Sequence, residues 1–174
     1  KFFEFSGNDI YVVSALTYTL SPSAESIKIR CKQGEYKSVF FLANGDIYET
    51  KEISDNSVDN DFFELYVNDV LWKCVDTLFE SSGEDLVYEI STKKDLSGIV
   101  LKFGNDVFGR KLRTNDRVEF KYISTAGTQG IVYAPYIIDT VESQAFDSNG
   151  RPVKLYVRNT SAIMGGEDYP SLET

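Results

Sequence analysis

Histidine is missing altogether from the 174 residues, and with it go the commonest metal ligand and the commonest general base. Methionine and tryptophan occur once each and cysteine twice, at Cys31 and Cys74. Two cysteines cannot build a disulfide framework, and these stand too far apart for a CxxC redox or zinc motif. Buried, reduced thiols are the expectation for the pair, since free cysteine is among the most buried residue types, and such thiols fit assembly in a reducing compartment. No apolar run approaches the roughly 18 residues of a transmembrane helix. The opening KFFEFSGND lacks the layout of a signal peptide and has no initiator Met, so a piece of a longer chain is expected. Positive charge is also in deficit, with 18 basic residues against 27 acidic ones. The resulting field repels phosphate polymers and anionic membrane surfaces, so neither nucleic acid nor membrane is expected as a partner.

What the chain does have is Tyr and Phe, 11 and 12 residues, which favour pleated, half-buried surfaces. Alternation dominates. In SIKIRCK, Ile27, Ile29 and Cys31 share one face and Lys28, Arg30 and Lys32 the other. FFELYV repeats the pattern through Phe63, Leu65 and Val67, RVEFKY through Val118, Phe120 and Tyr122, and VKLYV through Val153, Leu155 and Val157. One wet face per strand points to antiparallel sheets. Asn44-Gly45 is the strongest short hairpin signal, between KSVFFL and IYET. SSGED at 81–85, STAGTQG at 124–130 and FDSNGRP at 146–152 read as loops, and SDNSVDND at 54–61 as an acidic surface loop. VLWKCVDTLF at 70–79 fits either a helix or a strand, and a helix is expected to begin after Pro170. The length suits one domain or two small ones.

Few constellations carry chemistry. GNDVFGRKL, from Gly104, is one residue away from phosphate-loop spacing, but Arg110 stands at the lysine position and Lys111 where a magnesium-binding hydroxyl is needed. A strand rather than a helix follows, so the stretch reads as a reversal between two strands. Asp55, Asp59, Asp61, Glu84 and Asp85 are plentiful loop carboxylates, yet no spacing implies the paired acids of a hydrolase, and DNSVDND lacks the glycine and terminal Glu of a calcium loop. Tyr133, Tyr136 and Tyr156 are candidates for a sugar platform, with edge-of-core or interface placement as the alternative.

Six stretches in order resemble those of the baseplate J-like family, to which wedge proteins of contractile phage tails of the T-even type belong. They are a Q-G pair ending at Gly34, a strand leading to Trp72, a turn carrying Phe103-Gly104 and Phe108-Gly109, a strand ending at Tyr122, a loop with Gly127 and Gly130, and a closing segment with Asn159, Gly165-Gly166, Asp168 and Ser171. No one of them is specific, but their ordered combination is. Asn115 stands where many relatives carry Gly, and Asn also tolerates left-handed turns. Residues 1–30 match nothing in the pattern.

The resemblance implies a structural, non-enzymatic component of a virion's tail baseplate, assembled in the host cytoplasm. It implies partners of two kinds, other copies of the full-length chain and other baseplate wedge proteins, and a ring that changes shape when the sheath contracts. It implies no catalytic residue, cofactor, metal or small-molecule ligand. Related contractile secretion or bacteriocin particles belong to the same class. The expectation is a mainly β, β-rich α+β fold: antiparallel sheets in a sandwich-like domain with little helix over residues 1–158, then a linker and the start of a helical region over 159–174. A tail-associated carbohydrate-binding or adhesin module is the alternative, and a hydrolase working through acidic loops a more distant one.

Overall fold

The structure, a computed structural model, describes residues 2–5, 10–13, 31–140, 145–147, 149–154 and 156–166. Its fold is mainly β, with 42% strand and 6% helix, as the alternation requires. In chain order the strands are β1 (Phe2–Phe5), β2 (Ile10–Val13), β3 (Cys31–Gln33), β4 (Glu35–Leu42), β5 (Thr50–Ile53), β6 (Val58–Val67), β7 (Val70–Val75), β8 (Val87–Thr92), β9 (Ile99–Phe103), β10 (Arg117–Ser124), β11 (Ala145–Phe146) and β12 (Pro152–Val153). Short 3-10 turns occupy Leu78–Glu80 and Gly127–Gly130.

The chain divides into two compact units, Lys1–Glu35 with Thr125–Asp168, and Tyr36–Ser124 with Tyr169–Thr174. This differs from the expected single body over 1–158, and Asn159 lies inside the first unit rather than in a linker. The helix expected after Pro170 lies outside the described residues. In the first unit β1, β2 and β3 form an antiparallel sheet, and β11 and β12 pair around the FDSNGRP turn. The strand expected over 153–157 stops at Val153, and Leu155 lies outside the described residues.

The second unit holds a seven-stranded sheet in the order β4-β10-β6-β7-β8-β9-β5. One element departs from the antiparallel expectation: β7 and β8 run parallel, with Lys73 opposite Val87, and the chain between them makes the Leu78–Glu80 turn. The sandwich expectation also gives way to a single curled sheet. Its two end strands meet through side chains: Lys37 of β4 reaches Asp55, just past β5, at 2.8 Å, and Lys51 of β5 lies 5.1 Å over the Phe41 ring of β4. The sheet encloses its own core. Leu65, Leu101, Phe103, Val118 and Phe120 are fully buried on the inner face, with Trp72, Tyr88 and Tyr122 beside them. Burying each such side chain is worth about 1.5–3 kcal/mol. In β9 the alternation is strict, with Ile99, Leu101 and Phe103 inward and Val100 and Lys102 half-exposed between them.

Two local expectations need correction. Asn44-Gly45 does turn, with Gly45 at φ +84, but β4 and β5 do not form a hairpin: β5 pairs with β9 and β4 with β10. The two-residue hairpin is Asn68-Asp69, both at positive φ (+50 and +65), with Val67 paired to Val70. A pair of positive φ values is the signature of the turn that matches strand twist. Second, SDNSVDND is not all loop, because β6 begins at Val58 and Asp59 is buried at 8%. VLWKCVDTLF resolves as strand β7 through Val75, then the 3-10 turn.

Candidate functional site

The Gly104–Gly109 stretch is a turn built on itself. Asn105 Oδ1 accepts from the amides of Val107 (3.0 Å) and Phe108 (2.8 Å), as an Asx side chain does when it replaces a backbone turn. The Asp106 amide donates to Gly109 O, the Gly109 amide to Ser82 O and the Arg110 amide to Asp85 O, at 3.0, 3.1 and 2.9 Å. The Lys111 amide donates to Asp106 Oδ1 at 2.9 Å. Every amide from Asp106 through Lys111 is therefore already committed within the chain, and none is left to cradle a phosphate. The Lys111 amide and the Arg113 guanidinium, 2.8 Å from Asp106 Oδ2, hold the Asp106 carboxyl below its ordinary range. A Cβ on Gly104 would lie 2.0 Å from Gly109 O, so glycine is required there by backbone packing. The strands it joins, β9 and β10, are not sheet neighbours, so the reversal crosses the fold rather than closing a hairpin.

The other signature residues of this unit are core positions. Phe103 is fully buried, with Trp72 at 6.0 Å in an edge arrangement and Tyr88 at 6.5 Å. Phe108 packs edge-on against Phe79 at 5.3 Å. Tyr122 stacks on Phe120 at 5.3 Å, and its hydroxyl donates to Asp55 Oδ2 at 3.1 Å. Asp55 also accepts from Lys37 Nζ, Ser124 Oγ and the Ser57 amide. Burial pushes its carboxyl upward, but the hydrogen bonds from Lys37, Ser57 and Ser124 outweigh that and hold it low. This is a closed polar cluster joining β4, β10 and the turn after β5. Asn115 takes φ +68, the left-handed conformation in which Asn substitutes for Gly.

In the first unit three distant stretches converge. Gln33 Oε1 accepts from the Ala126 amide at 3.1 Å, and a Cβ on Gly130 would lie 2.1 Å from that same oxygen. A Cβ on Gly166 would lie 2.1 Å from Gly127 O. Gly34 is buried where β3 leads into β4, and Gly165 has φ +95 with open space around it. Asn159 clamps the chain opposite it: Oδ1 accepts from the Ile138 amide at 3.0 Å, and Nδ2 donates to Ala134 O at 3.0 Å and Ser161 O at 2.9 Å. Asp168 and Ser171 lie outside the described residues.

The carboxylates do not assemble into reacting pairs. Asp59 Oδ1 accepts from the Asp61 amide and Asp85 Oδ2 from the Ser82 amide, both local turn bonds at 2.8 Å. Among the described residues no group of three or more His, Cys, Asp or Glu is placed to hold a metal. An open depression beside the parallel β7–β8 pair is lined by Lys73, Cys74, Asp76, Glu80 and Asp85, and burial pushes the Cys74 thiol up, away from the reactive thiolate. Cys74 is a free thiol; the side chain of Cys31 lies outside the described residues. Tyr133, Tyr136 and Tyr156 are exposed, but Arg158 lies over the Tyr136 ring at 5.6 Å and Lys154 over the Tyr156 ring at 5.1 Å.

Sequence reasoning did not find Glu49, buried at 8%, whose carboxylate accepts from the amides of Asn44 (2.9 Å) and Gly45 (3.0 Å) and so makes that turn. Nor did it find Lys37 as the partner of Asp55. A buried carboxylate four residues after a glycine turn is a signal only once the loop is known to fold back. No protein-family model matches the chain, and no curated protein matches it.

Proposed function

We propose that this chain is a structural component of a contractile phage tail baseplate, a wedge or inner-ring scaffold that joins neighbouring subunits by protein–protein contacts and rearranges on sheath contraction. The observation that carries the reading is the ordered set of six signature stretches, taken with where their residues sit. Gly104, Gly130 and Gly166 are demanded by close backbone or side-chain approach, Trp72, Phe103 and Tyr122 by the core, and Asn159 by the loop it clamps. Residues kept for packing suit a scaffold, whereas an enzyme's signature would include a reacting group in a cleft. The site has the chemistry of shape and not of turnover. The partners are other copies of the full-length chain and other wedge proteins, and its place is the baseplate of the virion.

Sedimentation velocity of the full-length protein, alone and with tail proteins, tests this. Formation of a complex is expected; a strictly monomeric protein in both conditions would overturn it. A glycan-binding module is the second reading, favoured by the exposed tyrosines but opposed by the cations already seated over two of the three rings. Selective binding on a glycan array would favour it over the scaffold.

A further inference from the structure

Among the described residues, every buried large apolar side chain lies between Ile53 and Ile123. The stretch 125–166 contains none, yet it exposes Tyr133 by 76%, Tyr136 by 61%, Ile137 by 57%, Phe146 by 58%, Tyr156 by 84% and Met164 by 67%. Two of its segments run antiparallel as a ribbon. Val132 and Ile163 exchange both backbone hydrogen bonds (3.1 and 2.9 Å), and farther along the Tyr136 amide donates to Asn159 O at 2.9 Å. The ribbon holds Tyr136 at φ +64, a costly conformation for an aromatic residue, and leaves its side chain in solvent.

We infer that this ribbon, residues 131–138 with 156–164, is the surface through which two copies of the chain dock, an inference that rests on the scaffold reading and gives it a location. Three observations choose a second copy as occupant. Between residues 36 and 124 acidic residues outnumber basic ones by six, so like surfaces repel there, whereas 125–166 is neutral. Within that neutral stretch the charges are segregated: Asp139, Glu142 and Asp147 come first, then Arg151, Lys154 and Arg158. A two-fold contact sets the leading part of one copy against the trailing part of the other, so the segregation is self-complementary. Finally, at roughly 200 Å² per ring, the four exposed rings present on the order of 500 Å², a large share of the about 800 Å² per partner in a standard interface. Tyr, Met and Arg are also the residues that interface centres favour.

The test is sedimentation velocity on the full-length protein, comparing wild type with Tyr156→Glu and Arg158→Glu, and with Leu71→Glu as control. Tyr156 and Leu71 are exposed, and Trp72 fluorescence reports that each variant folds. A reversible dimer is expected whose dissociation constant rises at least about tenfold in the two ribbon variants and stays within about twofold in the control. A protein that stays monomeric alone, or a dimer indifferent to both ribbon changes, overturns the inference. If the ribbon dimer forms but no tail protein joins it, the scaffold reading falls and the ribbon contact stands. If tail proteins bind while the protein alone stays monomeric, the scaffold reading stands and the ribbon contact falls.

Discussion

Replacing Asp55 by alanine asks whether one carboxylate holds the two ends of the curled sheet together. Its oxygens accept from Lys37 Nζ at 2.8 Å, the Ser57 amide at 2.9 Å, Tyr122 Oη at 3.1 Å and Ser124 Oγ at 3.3 Å. Hydrogen bonds to a charged group contribute about 1.5–3 kcal/mol each when desolvated. The Asp55 side chain is only 12% exposed, but Lys37 is 38% exposed, which reduces the ion pair to about 1 kcal/mol. The Tyr122 hydroxyl, on a residue 3% exposed, loses this acceptor at a cost of about 1.5 kcal/mol, while Ser57 and Ser124 can turn partly to water. Asp55→Ala is therefore expected to cost about 3 kcal/mol. Urea unfolding followed by the fluorescence of Trp72, the one tryptophan and buried in the core, measures it.

The same bonds give the loss a pH signature. The folded carboxyl titrates below its ordinary 3.8, so its contribution is fully present above that value and is lost as pH falls through the lowered one. The gap between wild type and Asp55→Ala is expected to be complete at neutral pH and to close in acid below 3.8. A gap under about 1 kcal/mol at neutral pH, or one that persists unchanged into acid, would refute the reasoning.

Three further outcomes follow from the geometry. Gly104→Ala places a methyl 2.0 Å from Gly109 O and should cost more than about 3 kcal/mol, whereas Gly150→Ala, at φ +77 with nothing within 4 Å, should cost only about 1 kcal/mol of backbone strain; parallel melts separate the two. Phe103→Ala removes the ring that Phe41, Trp72 and Tyr88 pack around and should lower stability by about 3–5 kcal/mol in urea. Asn159→Ala removes the clamp on 134–138 and should open that loop to limited proteolysis while the urea midpoint read at Trp72, in the other unit, stays where it was.

Strands were legible wherever one face is buried, because burial itself writes the period into the sequence. FFELYV and RVEFKY read directly as β6 and β10, and Val118, Phe120 and Tyr122 are all inward. Pairing was not legible. Asn44-Gly45 describes a local backbone bend and says nothing of which strand comes next in the sheet; the true partner of β5 is β9, with Thr50 opposite Lys102. The Asn68-Asp69 hairpin carries a weaker turn signal and yet closes one, because Leu65 and Val67 already place β6 where Trp72 can join the same core. Tertiary burial selected the hairpin, not turn strength.

The candidate site shows the same division between what a residue type requires and where the requirement comes from. That Gly166 is a glycine is visible in the sequence, but the reason is the Gly127 carbonyl, 2.1 Å from where a Cβ would sit, on a stretch far away along the chain. Gly130 answers to Gln33 and Gly104 to Gly109 in the same way. Each glycine thus records a contact whose other half lies elsewhere, so the signature is informative only as an ordered set, and isolated FG or GG pairs carry little meaning. It also explains why GNDVFGRKL imitates a phosphate loop: both need glycine for tight backbone, but here Asn105, Ser82, Asp85 and Asp106 take the amides that a nucleotide would need.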